Sequence, residues 1–130
     1  MRDGMQAVVL KEGAVRFADI PLVTKVPEIE EVLADAFARL AELQLRTGDM
    51  NGADGSLREG LAHAPEVSYF RGHLLEVRGI LEETRGAQLA DAGKPAEAAK
   101  ARAKAIALLQ EAVRVQEQVV ERALSDGGKR

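Results

Sequence analysis

His63 and His73 are the only imidazoles in the chain and stand ten residues apart across Pro65. No His-x-x-x-His or Glu-x-x-His spacing sets two ligands on one helical turn, so a metal would need ligands from elsewhere. Both histidines are expected to be hydrogen-bonded or to face solvent. Ser56, Ser68 and Ser125 lie in no Gly-x-Ser-x-Gly elbow that would activate a hydroxyl. Asp49, Asn51 and Asp54 open a run with the oxygens of a calcium loop, yet Asp54 stands where the loop's turn glycine belongs. Gly60 likewise stands where the bidentate Glu belongs, so the run is read as a turn and a helix start. No Gly-x-x-x-x-Gly-Lys-Ser/Thr or Gly-x-Gly-x-x-Gly run offers a phosphate cradle. The absence of cysteine excludes disulfides, thiolate metal sites and thiol nucleophiles. Glu82 and Glu83 read as solvated carboxylates. Lys94, Lys100, Arg102 and Lys104 form a basic cluster, but Glu97 dilutes it and no interleaved aromatics offer base stacking, so it reads as a solvated face. These patterns point to no catalysis, no cofactor and no metal.

The elements that carry these residues follow from length and periodicity. The chain has 130 residues, enough for one domain with a real core. Apolar residues make up 46%, charged residues 30% and aromatics only 3%, so the core must be built from Leu, Val and Ala. The formal charge of −3 provides no positive field for nucleic acid. No apolar run approaches the roughly 20 residues that span a bilayer, and no signal-peptide pattern opens the chain. The expectation is a cytoplasmic protein with no membrane or nucleic-acid partner.

Residues 1–4 read as a polar leader. Residues 5–11 and 14–20 are β-rich runs about Glu12-Gly13, which predicts a short N-terminal hairpin with Val15 and Phe17 on one face. Its residues 5–21 look like the opening strands of medium-chain, zinc-dependent alcohol dehydrogenases. The cysteine-bearing metal segments are missing and a helical chain follows, so the likeness is one of hairpin chemistry. From Pro27 the period becomes helical, with Ile29, Leu33, Ala36, Phe37, Leu40 and Gln44 on one stripe, ending at Thr47-Gly48-Asp49. A second helix carries Met50, Ala53, Leu57, Leu61 and Ala64 and stops at Pro65. The third carries Val67, Phe70, Leu74, Val77, Leu81 and Thr84 to about Ala92. The fourth, from Pro95 to Leu124, aligns Ala98, Ala101, Ala105, Leu109, Ala112, Gln116 and Val119. The predicted fold is mainly α: a leader and hairpin at 1–26, about four antiparallel helices at 27–124, and a disordered tail at 125–130.

Two stretches share a grammar. Aligned on Gly48 and Gly93, small residues recur at Ala41 and Gly86, at Ala53 and Ala98, and at Gly60 and Ala105. This pattern resembles the tetratricopeptide repeat (TPR), a helix–turn–helix unit of about 34 residues. It departs from that pattern at Gln44, where a large aromatic is usual, and at Glu82, Arg85 and Arg102, where large apolar residues are. The resemblance implies a non-catalytic protein–protein interaction module. Its groove would draw on Asp35, Ala38, Glu42, Leu45 and Arg46 from the first unit, and on Ile80, Glu83, Ala87, Ala90 and Asp91 from the second. Such a mostly acidic groove suits a basic or amphipathic segment of another protein. The alternative is a structural homodimerisation module, a helical bundle acting through the hairpin edge (Val9, Phe17) and a helix face on which Gly72, Gly79 and Gly86 recur every seven residues.

Overall fold

The computed structural model describes residues 27–128, which form four helices: α1 (Pro27–Arg46), α2 (Met50–His63), α3 (Tyr69–Asp91) and α4 (Pro95–Gly128). The expected leader and hairpin, with Val9 and Phe17, lie outside the described residues. The breaks fall where the sequence punctuates. Gly48 and Gly93 take positive φ, +87° and +78°, which glycine adopts without the clash of a side chain. Both turns close with the same pair of bonds. Gly48 N donates to Leu45 O and Asp49 N to Gln44 O; Gly93 N donates to Ala90 O and Lys94 N to Leu89 O. These are Schellman caps, which satisfy carbonyls left free at a helix end. The third connection uses side chains. Ser68 Oγ accepts from Arg71 N and donates to Pro65 O, while the Arg71 guanidinium donates to the carbonyls of Leu61, Ala64 and Pro65.

Contacts between neighbours fix the register. Gln44 meets Ser56 (Ser56 Oγ donates to Gln44 Oε1 at 2.7 Å), and Glu30 meets His63, so α1 and α2 run antiparallel. Asp54 faces Arg78, and Leu61 O accepts from Arg71, so α2 and α3 are antiparallel as well. At the centre, a Cβ on Gly60 would meet Leu74 Cδ2 at 2.7 Å and Phe37 Cβ at 3.0 Å. The helices approach here more closely than a side chain permits. That approach decides which face of α1 turns inward. Ala34, Ala38 and Ala41 are buried, with Leu45 packed beside them, while Leu33, Ala36 and Leu40 of the expected stripe are exposed. The stripe is displaced because the slot against α2 accepts alanine and excludes leucine. On α2 and α3 the expected positions hold: Ala53, Leu57, Ala64, Leu74, Val77 and Leu81 form the core, with Met50, Leu61 and Phe70 packed against it.

The glycine face of α3 is occupied by the chain itself. A Cβ on Gly72 would land on the Gln116 amide, one on Gly79 would meet Leu109 Cγ at 2.9 Å, and one on Gly86 would meet Ala101 Cβ at 3.5 Å. α4 therefore lies antiparallel in this furrow. The three glycines are buried within one chain and do not present a surface to a second copy. Ala98, Ala101, Ala105, Ala112 and Val115 are buried along α4, as its small-residue stripe requires. α4 also continues to Gly128, so residues 125–128, expected in a frayed tail, are helical: no proline or glycine interrupts them before Gly127.

Candidate functional site

The residues expected to line one groove are distributed over different surroundings. Asp35 pairs with Arg39 at 3.0 Å; that hydrogen bond and charge hold the Arg39 guanidinium above its ordinary pKa. Ala38 is in the core, and Leu45 is partly buried against it. Glu42 Oε1 lies 3.5 Å from His73 Nε2, and Glu76 approaches the other ring nitrogen at 3.7 Å. Arg46, Glu83, Ala87, Ala90 and Asp91 are exposed. The register explains why they do not converge. Glu42 stands beside His73, α1 ends at Arg46, and Glu83 lies about 15 Å beyond His73 along α3. Past Leu81, α3 pairs with the first half of α4 instead.

Both histidines join helices. His63 Nδ1 lies 2.7 Å from Glu30 Oε1, and its ring stacks on Phe37 with centroids 6.1 Å apart. His73 stacks on Tyr69 at 6.0 Å. Among the described residues, no group of three or more His, Cys, Asp or Glu side chains could hold a metal. Glu82 differs from its sequence reading. It is only 2% exposed, with its carboxylate 2.8 Å from Arg85 and 3.6 Å from Lys104. Lys104 of the basic cluster thus approaches α3 while its side chain stays exposed, as do Lys94, Lys100 and Arg102. Helical spacing sets Glu82 three residues after Gly79 and four before Gly86, on the face that α4 covers, but only the position of α4 supplies its distant cation.

A concave surface lies between the start of α3 and the second half of α4. The pairing of Gly72 with Gln116 and Gly79 with Leu109 sets Tyr69 opposite about residue 119. Residues 120–128 of α4 therefore run past the start of α3 by about 13 Å. Along this step a trough of about 740 Å³ opens. It is lined by Leu109, Ala112, Val113 and Val120, by Gly72, and by the carboxylate-bearing Glu76, Glu117 and Glu121. Gln116 also lines it and donates from Nε2 to Tyr69 O at 3.1 Å. Val113 and Val120 are more than half exposed there. A signal for this surface was present in the sequence: α4 carries valines at 113 and 120, seven apart and outside its alanine stripe.

The chain matches no family model, no curated protein and no solved structure. Among the described residues, no helix is long and apolar enough to cross a membrane.

Proposed function

We propose that this protein is a non-catalytic binding module, TPR-like in its two helix–turn–helix units, that takes a basic amphipathic segment of another protein. The carrying observation is the trough between α3 and α4, whose lining brings Leu109, Val113 and Val120 together with three carboxylates, Glu76, Glu117 and Glu121. An amphipathic helix laid in such a groove buries its apolar face, and lysine or arginine at its flanks meets the acidic rim. The repeated Schellman turns support the repeat reading. This reading puts the acidic binding surface at the α3–α4 step rather than on the α1–α3 face.

The test is fluorescence anisotropy of a labelled, lysine-rich amphipathic helical peptide titrated with the full chain at low and moderate salt. Glu117→Lys with Glu121→Lys should weaken binding at least tenfold and flatten its salt dependence. Val113→Lys should weaken it at both salt concentrations. Equal affinity of all variants would refute the site.

A further inference from the structure

α1 lies at one end of the fold: it packs on α2 and α3 but not on α4. Ala34, Ala38 and Ala41 fill the core, while Val32, Leu33, Leu40 and Leu43 on the opposite side are 67, 38, 44 and 55% exposed. A helix apolar on both sides belongs in an interior, yet among the described residues nothing packs over this outer side. Leu33, Ala36, Leu40 and Leu43 follow at intervals of three, four and three residues, the spacing of a seam between two helices. The charges beside the seam say what covers it. Along the edge that carries Val32, Glu31 and Asp35 come first and Arg39 and Arg46 follow, while Glu42 lies 3.5 Å from His73. Laid antiparallel on a copy of itself, with the axis level with Ala38, α1 sets Leu33 against Leu43, Ala36 against Leu40 and Arg46 against Glu31. A parallel pair would instead set Glu31 on Glu31 and Arg46 on Arg46. Arg39 is held by Asp35 of its own helix at 3.0 Å, so Arg46 and Glu31 are the pair that discriminates.

We propose that the outer stripe of α1 is a homodimer interface, in which two copies pair antiparallel across a two-fold axis level with Ala38. In such an interface the same patch serves both copies, so it must be complementary to itself in shape and in charge. The stripe meets that demand in its apolar spacing and in the opposite signs at its two ends, a demand that a different partner chain would not impose. About four turns of a single helix bury less than the roughly 1,200 Å² of a standard interface, so the dimer is weak and forms in the micromolar range or above. It uses no residue of the α3–α4 trough and stands or falls independently of the binding read there.

Light scattering on the full chain from roughly 1 μM to 1 mM should show monomer converting to dimer. Leu40→Lys should weaken the dimer at least tenfold with helicity unchanged, whereas Leu124→Lys, at an exposed position on α4, should leave it intact. The orientation is read from charge. Glu31→Arg and Arg46→Glu each set like charges against one another at both ends of the antiparallel pair. Each variant alone should therefore dimerise at least tenfold more weakly than wild type at low salt. Mixed in equal amounts, the two variants bring opposite charges together at both ends, and dimer formation should return to the wild-type level. A monomer across the whole range overturns the proposal. So does loss of the dimer in Leu124→Lys, a Leu40→Lys dimer as tight as wild type, or a mixture of the two charge variants that dimerises no more tightly than either alone.

Discussion

Gly72, Gly79 and Gly86 invite the same substitution with three different outcomes. Replacing a helical glycine by alanine gains about 1 kcal/mol of intrinsic helix stability. At Gly86 the new methyl meets Ala98 O at 3.4 Å and Ala101 Cβ at 3.5 Å, ordinary contact, so that gain should be kept. At Gly79 it meets Leu109 Cγ at 2.9 Å and Cδ2 at 3.0 Å, with Ala105 O behind at 3.4 Å. Leu109 must shift, and overpacking of this kind costs roughly 1–3 kcal/mol, which outweighs the propensity gain. At Gly72 the methyl displaces the flexible end of Gln116, whose bond to Tyr69 O contributes about 1 kcal/mol, so the two effects nearly cancel. Urea unfolding followed by far-ultraviolet circular dichroism should therefore rank Gly86→Ala above wild type, Gly72→Ala near it and Gly79→Ala below. The extremes should differ by roughly 2 kcal/mol. In thermal unfolding each kcal/mol corresponds to roughly 4 °C for a chain of 130 residues. A Gly79→Ala protein as stable as Gly86→Ala would refute the close packing of α4 at Leu109.

Arg71→Met keeps the apolar stem and removes the donor to three carbonyls at the end of α2; it should lower stability by about 2 kcal/mol, measured as a shift in the urea midpoint. Arg71→Lys should recover only part of that loss, because one ammonium cannot reproduce the planar fork. Glu82→Leu should change stability by less than about 1 kcal/mol, since it removes a buried charge and leaves both of its cations partly solvated. A loss of 3 kcal/mol or more in the same assay would mean that the carboxylate has a larger structural role than its two ion pairs.

The order of the helices and the turns between them were legible in the sequence because their signals are local, whereas the end of α4 was not. Gly48 and Gly93 mark positive-φ turns, Pro65 follows the end of α2, and the stripes of α2, α3 and α4 repeat at helical spacing. The buried side of α1 was not legible. Its leucines and its alanines both recur at helical spacing, and the choice depended on how close Phe37 and Leu74 come to the backbone at Gly60. The glycines of α3 declared a close helix contact, but which helix filled it was a question of chain path. The fate of Glu82 depended on Lys104, 22 positions away, and the trough depends on where α4 passes the start of α3. Periodicity specifies which residues share a face of a helix. The distance between backbones decides which face is buried, which charge finds a partner and which valines remain exposed.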